Sequence, residues 1–236
     1  MPLRRCAAMK IKYDLHVHSA LSPCADDDMT PVTIVGYAKL SGLDAVAVSD
    51  HNAIGNVAVA LAAGEAYGVC VVPAMELQTA EDIHVLCLFD TLAHLTAFFE
   101  AIDFPKIGNR ADIFGNQLLY DEDDNIVGNE PRLLHIGANI AVDDVPKLAK
   151  KFGGVAVAAH VDREENSMLQ VLGEVIDEYA AVELSKHATD EHKRLVADKI
   201  VITNSDAHWL DRIGTAGGTM EVAELSAKAI VQALQK

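Results

Sequence analysis

The sequence lacks closely spaced cysteines and long apolar runs. Its four cysteines form no Cys-x-x-Cys pair, so neither a dithiol motif nor a structural zinc site built from thiolates is indicated. No apolar run approaches the roughly 18 residues that a membrane-spanning helix needs. The residues after Met1 do not form the apolar region of a signal peptide,. We therefore expect a cytoplasmic protein with reduced cysteines and no membrane partner.

Basic residues are also scarce. The chain has 19 Lys and Arg against 35 Asp and Glu, which gives a formal net charge of -16. Such a charge repels nucleic acid unless bound cations or a local basic patch reverse it. No stretch combines basic and aromatic side chains in the way that nucleic-acid-binding segments do. The composition therefore disfavours nucleic acid as a partner.

Strand-like and helix-like segments alternate along most of the 236 residues. The predicted strands lie near 11–13, 43–48, 69–75, 85–89, 155–159, 181–184 and 199–203, and the predicted helices at 30–42, 57–67, 92–102, 144–152, 167–179, 189–197 and 223–234. This pattern is typical of an α/β fold with a parallel sheet, closed into a barrel or open and doubly wound. We expect residues 1–9 to form an N-terminal extension and residues 10–236 to form one domain.

Residues 103–140 interrupt the alternation with several prolines and glycines. The acidic run 121–125 lies between two apolar segments, which is typical of a hairpin tip. Loops of this length are uncommon in compact domains and usually have a function. We interpret the segment as an inserted lid or small subdomain; the alternative is a plain surface loop.

Metal-binding side chains fall where the predicted strands stop. His16 and His18 end the first strand, and because residues two apart on an extended strand face the same side, both imidazoles can reach one ion. A His-x-His pair alone is as often a solvated surface pair as a metal site. Whether this pair binds a metal therefore depends on the residues at the other strand ends. They carry Asp50, His51, Glu76, His160, Asp206 and His208. Since β/α barrels build active sites at these ends, the nitrogen and oxygen ligands predict a zinc, manganese or iron site.

The residues alone leave several candidates open. His84 begins its predicted strand, so it could equally be a core or surface histidine. Aspartates 26–28 are typical of a solvated loop, and Cys24 is typical of an inert thiol. His187 ends a strand without an evident partner. The remaining histidines are interpreted as structural: His94, His135 and His192.

Five motifs together resemble, in order and spacing, the polymerase and histidinol phosphatase (PHP) family: Asp14-Leu15-His16-Val17-His18-Ser19, Ser49-Asp50-His51-Asn52, Ala74-Met75-Glu76, Ala159-His160 and Ser205-Asp206-Ala207-His208. The resemblance covers about residues 10–210. It implies a distorted seven-stranded β/α (TIM-like) barrel with a small insertion. It further implies two or three divalent ions, Zn, Mn or Fe, and hydrolysis of phosphoesters.

The resemblance also implies the ligands of each ion, with Glu76 bridging the first two. The sets are His16, His18, Glu76 and Asp206 for the first ion, Glu76, His84 and His160 for the second, and His51, His208 and Asp26 for the third. Extra residues in the loop disturb the match at Asp26, so Asp27 and Asp28 are alternatives. The chain has Asn52 where the family often has aspartate, which weakens any role at that position.

The implied reaction is hydrolysis of a small phosphorylated metabolite or nucleotide by a hydroxide that bridges two ions. Asp50 is expected to orient His51, and His187 to protonate the leaving group. Arg163 and Lys186 are candidates for phosphate contact. The alternatives are a 3′-end nuclease, which the acidic charge disfavours, a non-catalytic metal-binding regulatory module, and a carboxamide hydrolase.

Overall fold

The structure is a computed structural model that describes residues 8–235. Within that range the strands are β1 (Met9–Val17), β2 (Ala45–Val48), β3 (Cys70–Val71), β4 (Ala74–Gln78), β5 (His84–Leu88), β6 (Leu118–Tyr120), β7 (Ile126–Asn129), β8 (Val155–Ala158), β9 (Ala181–Glu183), β10 (Ile200–Ile202) and β11 (Gly218–Val222). The predicted extension, residues 1–9, lies outside the described residues except for its last two. Met9 is not part of an extension, because it begins β1.

Within the same range the helices are α1 (Pro31–Leu40), α2 (Val57–Tyr67), α3 (Leu92–Glu100), α4 (Ala111–Phe114), α5 (Val145–Lys151), α6 (Met168–Leu172), α7 (Asp190–Leu195) and α8 (Ala227–Ala233). All except α4, which was not predicted, lie within the predicted helical segments. Thr30 caps α1 by accepting a hydrogen bond from the Thr33 amide,. The predicted helix 167–179 is wrong beyond Leu172. Gly173 takes a left-handed φ of 81° there and ends α6,.

The strands form three sheets. Their orders are β11-β1-β2-β3, β10-β9-β8-β5-β4 and β6-β7. The first two sheets touch through single bridges, Val17 to Ala207 and His51 to Glu76. The predicted α/β fold is confirmed, but no sheet among residues 8–235 closes into the expected seven-stranded barrel. Pro73 lacks an amide proton and splits the predicted strand 69–75, so β3 pairs with β2 while β4 pairs with β5,.

Strand β5 corrects the prediction of a parallel sheet. It runs antiparallel to both β4 and β8. Only residues 79–83 join β4 to β5, which is too short for the crossover that parallel strands require. The amino end of β5 therefore lies at the edge where neighbouring parallel strands end. This reversal brings His84 to the edge that carries the other candidate ligands.

Both larger sheets share one buried apolar cluster. Its members come from each sheet and include Ile11, Leu15, Ala45, Ala74, Leu86, Val157, Ala181 and Ile202. Strand β11 was not predicted from the sequence; it pairs antiparallel with β1 and alternates partly buried and exposed side chains after two glycines. The candidate ligands lie at one edge of these packed sheets.

The insertion 103–140 contains α4 and the β6-β7 hairpin, so the predicted hairpin is confirmed. It is tied to the rest of the fold. Asn56 Nδ2 donates to the Leu118 carbonyl, and Gln117 Nε2 donates to the carbonyls of Glu130 and Arg132. The first bond ties the segment to the residue before α2, and the other two lie within the segment. The Leu118 amide also donates to the Ala20 carbonyl, which holds the segment against the loop that follows β1.

No helix within residues 8–235 is both long and apolar enough to cross a bilayer. The three described cysteines, Cys24, Cys70 and Cys87, are free thiols.

Candidate metal centre

Four candidate ligands converge on one point at the end of β1. His16 Nε2 lies 3.2 Å from His18 Nε2, 3.2 Å from Glu76 Oε1 and 3.3 Å from Asp206 Oδ1. His18 Nε2 lies 3.0 Å from Asp206 Oδ1 and 3.4 Å from Glu76 Oε2. The structure thus brings together the four residues predicted for the first ion.

These separations suit a metal ion. Ligand atoms about 2.0–2.1 Å from a tetrahedral zinc ion lie roughly 3.3 Å from one another. Asp206 Oδ1 is buried and has no hydrogen-bond partner, although a buried carboxylate oxygen normally has one. The spacing of these ligand atoms and the unpaired Asp206 oxygen both fit a divalent cation.

Glu76 lies at the middle of the whole cluster and is only 1% exposed. Its Oε1 is 3.1 Å from His84 Nδ1 and 3.1 Å from His160 Nε2. Its Oε2 is 2.9 Å from His51 Nδ1, at an angle that makes no hydrogen bond. Contrary to the prediction that Glu76 ends a strand, it lies inside β4. The antiparallel β5 explains why His84 reaches it.

The predicted third set is brought together only in part. His18, His51 and His208 each offer a ligand atom within 4.8 Å of the others, and the His18 and His208 rings stack with centroids 4.3 Å apart. Asp26 is exposed, and its Oδ1 accepts the Asp28 amide. The Asp26 amide donates to the His208 carbonyl. Asp26 therefore lies beside the cluster without directing its carboxylate into the groups of converging ligand atoms.

The electrostatics of the cluster favour a cation. Burial alone would raise the pKa of Glu76, but the surrounding imidazoles hold it well below its usual value,. Burial would lower the pKa of His16, but three neighbouring carboxylates raise it well above its usual value. The pKa of His18 is held well below its usual value by burial and by two imidazoles. The carboxylates that raise the pKa of His16 are the negative charges that a bound cation would balance.

Glu183 supports the centre and was missed by the sequence analysis. It is buried at the end of β9, and its Oε2 lies 2.8 Å from His16 Nδ1. A carboxylate behind a ligating imidazole fixes the ring and makes it a better donor. The signal was present in the sequence, because Glu183 is a lone acid inside the apolar run 181–184.

Asp50 differs from its predicted role. It is fully buried, but it accepts hydrogen bonds from the Ser19 amide, the Ser19 hydroxyl and the Ser22 hydroxyl, with no contact to the His51 ring. Ser22 Oγ lies 3.0 Å from His18 Nδ1. The carboxylate points across to the loop after β1, so it supports His18 through Ser22 and not His51 directly.

Strained backbone marks the same edge. Asn52, His160 and Asp206 have φ values of 46°, 27° and 49°, a left-handed region that costs about 1–3 kcal/mol for residues other than glycine. Such strain persists only where the surrounding structure fixes it, and it concentrates at functional sites. It directs the His160 and Asp206 side chains towards Glu76 and His16.

A cavity of about 290 Å³ opens beside the cluster. Arg163, Lys186 and His187 line it together with Asp206. Arg163 Nη2 is 2.5 Å from Asp206 Oδ2. The structure therefore places the predicted phosphate-contacting and proton-donating residues in one cavity next to the candidate ligands.

The histidines interpreted as structural divide into two groups. His94 pairs with Asp90 on the surface, and His192 completes the capping box of α7. His135 instead lies beside the cluster, with its ring centroid 4.4 Å from that of His51. His135 therefore adjoins a candidate ligand, a position that its interpretation as a structural residue did not anticipate.

Solved structures share this fold. Endonuclease Q from Pyrococcus furiosus, a lesion-specific endonuclease, has a TM-score of 0.67 and 20% identity; the match covers 96% of this chain and 56% of that one. Endonuclease Q in complex with a 27-mer duplex substrate has a TM-score of 0.65 and 20% identity, with 96% and 57% covered. This chain therefore spans just over half the length of endonuclease Q.

A third structure links the fold to the PHP family. It is a two-domain protein from Bacteroides vulgatus described as containing a predicted PHP-like metal-dependent phosphoesterase, with a TM-score of 0.58, 15% identity, and 97% of this chain and 63% of that one covered. No protein-family model and no curated protein sequence matches the chain. The chain thus shares its fold with a protein described as PHP-like, as the resemblance of the sequence motifs led us to expect.

These neighbours contradict the prediction that disfavoured nucleic acid as a partner. The duplex bound to endonuclease Q has an abasic lesion at the active site, so the prediction that set nucleic acid aside as a partner is wrong. That prediction used the net charge of the whole chain. Bound cations are often the largest charges in a site and can reverse the local sign.

Proposed function

We propose that this protein is a metal-dependent phosphoesterase and that its substrate is a phosphodiester of a nucleic acid. The observation that carries the proposal is the convergence of His16, His18, Glu76 and Asp206 at separations of 3.0–3.4 Å. Donors spaced in this way suit a catalytic divalent ion. The fold shared with endonuclease Q favours a nucleic acid over a small metabolite.

Two or three divalent ions, Zn, Mn or Fe, would occupy the cluster. We assign the first to His16, His18, Glu76 and Asp206, the second to Glu76, His84 and His160, and a third to His51 and His208 with Asp26 as the predicted loop ligand. When bound, the ions would supply an activated water and neutralise the charge of the phosphate. Glu183 and Ser22 hold the first two imidazoles in position, and Asp50 acts behind Ser22.

The residues that line the cavity would bind the phosphate and protonate the departing oxygen. Arg163 is held at the edge of the cluster by Asp206, where its guanidinium can reach a non-bridging phosphate oxygen. Lys186 would add a second positive charge. His187 is exposed in the same cavity, where its imidazole can protonate the departing oxygen.

One surface feature supports a nucleic-acid substrate. The Trp209 side chain is 55% exposed, and its ring centroid is 6.0 Å from that of His208. An exposed aromatic ring beside a phosphate site can stack on a base, and stacking tolerates any sequence. Trp209 was not predicted from the sequence because a single tryptophan is not an aromatic-rich stretch.

Hydrolysis assays test the proposal. Purified protein loaded separately with Zn²⁺, Mn²⁺ or Fe²⁺ is incubated with p-nitrophenyl phosphate, bis-p-nitrophenyl phosphate, mononucleotides, and single- and double-stranded oligonucleotides with and without an abasic site. We expect metal-dependent cleavage of oligonucleotides and of the diester, abolished in His16→Ala. Cleavage of monoesters alone would overturn the substrate class, and equal turnover by His16→Ala would overturn the assigned centre.

A further inference from the structure

A second set of potential ligands lies at the mouth of the cluster. Cys24, His51 and His135 each offer one ligand atom, and these atoms lie within 4.8 Å of one another. They come from the loop after β1, the end of β2 and the insertion. The thiol and the insertion histidine are outside the ligand sets assigned above.

Hydrogen bonds hold the backbone on both sides of His135. Asn52 Nδ2 donates to the carbonyls of Leu134 and Ile136, each at 2.9 Å. Leu134 is buried against Leu21 in a small apolar cluster. The insertion is thus anchored on either side of His135. The His135 and His51 rings meet edge to face, at an interplanar angle of 76°.

Asn52 is the residue that departs from the PHP pattern. Its amide nitrogen is the donor in both bonds to the insertion, whereas its Oδ1 accepts the Gln78 amide. An aspartate could accept but could not donate. The Asn52 side chain therefore holds the backbone around His135 in this chain.

Cys24 is held by backbone bonds on its carboxyl side. The Ala25 amide donates to the Ser22 carbonyl, and the Asp26 amide donates to the His208 carbonyl. The loop is therefore tied to the cluster at His208. Its thiol lies within reach of His51, while the Asp26 carboxylate is exposed and turned to the Asp28 amide.

We infer that Cys24 and His135, together with His51, bind a metal ion at the mouth of the centre, in place of the third ion assigned above to His51, His208 and Asp26, and that the thiolate makes this position selective for zinc or ferrous iron over manganese. The inference deepens the proposed function and rests on it for the identity of the inner ions. Soft sulfur ligands favour Zn and Fe, whereas oxygen ligands suit Mn. Binding converts the thiol to a thiolate and releases its proton to solvent.

Cobalt substitution tests the inference without any activity measurement. The metal-free protein is titrated with Co²⁺, and the near-ultraviolet band of thiolate-to-cobalt charge transfer is recorded with the cobalt content. We expect the band in the wild type and its loss in Cys24→Ser, with about one bound cobalt ion fewer per chain. The matched control Cys70→Ser, which removes another partly exposed thiol, should keep both the band and the ion.

Two further variants separate coordination from folding. His135→Asn should lose the ion while the inner cobalt ions remain, whereas His94→Asn, on the surface, should change nothing. Asn52→Asp removes the donors that hold the insertion, so the charge-transfer band should weaken although no ligand is changed. Absence of the band in fully loaded wild type, or its persistence in Cys24→Ser, would overturn the inference. Loss of hydrolysis with the band intact would count against the proposed function alone.

Discussion

Glu183 Oε2 lies 2.8 Å from His16 Nδ1, and both side chains are buried. The two residues belong to different sheets, since His16 is in β1 and Glu183 is in β9. The contact turns His16 so that its Nε2 faces Glu76 and Asp206. The geometry of the first site therefore depends on a residue that would not itself touch the ion.

Glu183→Gln should weaken binding of the ion at His16 and His18. Glutamine keeps the shape of the side chain but removes the charge that makes imidazole a better donor. Loss of such a supporting group typically lowers metal affinity by about 10–100-fold. Competition titration with a chelator measures the affinity, and Glu221→Gln, an exposed glutamate on β11, should leave it unchanged. Equal affinity in both variants would contradict the role of Glu183.

Glu76→Gln should lower metal content at more than one position. Both carboxylate oxygens lie within 3.4 Å of imidazole nitrogens belonging to His16, His18, His51, His84 and His160. A neutral amide offers one oxygen and cannot bridge two ions. Metal content per chain should fall further than in His84→Asn, which affects only the second set. Binding of the His16 and His18 ion with unchanged affinity would show that Glu76 does not bridge.

The sequence predicted which candidate ligands share one edge of the fold better than it predicted the sheet. His16, His18, Glu76, Asp206 and His160 could be found because each falls in or next to an apolar strand run, a signal that depends on local order alone. The direction of β5 was missed, although the short connection 79–83 already excluded a parallel crossover. How the two larger sheets meet depends on contacts between residues far apart in sequence, such as Val17 and Ala207.

Supporting contacts were harder to predict for the same reason. Glu183 and His16 are 167 residues apart in sequence, and His135 reaches His51 only because the insertion folds back onto Asn52. No periodicity or spacing encodes such pairs. The strand-end pattern indicates which residues share an edge, whereas the orientation of each ring depends on packing across the whole fold.

Asp50 should make the metal-free protein less stable as pH rises. Burial raises the pKa of its carboxyl group from 3.8 to about 6, despite hydrogen bonds from Ser19 and Ser22 that lower it. The folded state therefore binds more protons than the unfolded state between these values, so the stabilisation is present below about pH 4 and is lost as pH rises through about 6. A shift of this size corresponds to about 3 kcal/mol.

Urea unfolding of chelator-treated protein at several pH values between 4 and 7 measures this effect. Asp50→Asn cannot titrate, so the free energy of unfolding of the wild type should fall relative to that variant as pH rises across this range. Asp211→Asn, at an exposed position, should follow the wild type. Parallel pH profiles for wild type and Asp50→Asn would show that Asp50 is not the titrating group.

Trp209→Ala should impair cleavage of oligonucleotides selectively. Stacking of one base on an aromatic ring contributes about 1–3 kcal/mol, so KM for single-stranded oligonucleotides should rise by about 10-fold while turnover of bis-p-nitrophenyl phosphate stays unchanged. Trp209→Phe should retain most of the affinity, and Tyr37→Ala, an exposed aromatic on α1, should have no effect. An equal loss on both substrates would mean that Trp209 supports the neighbouring His208 and does not contact a base.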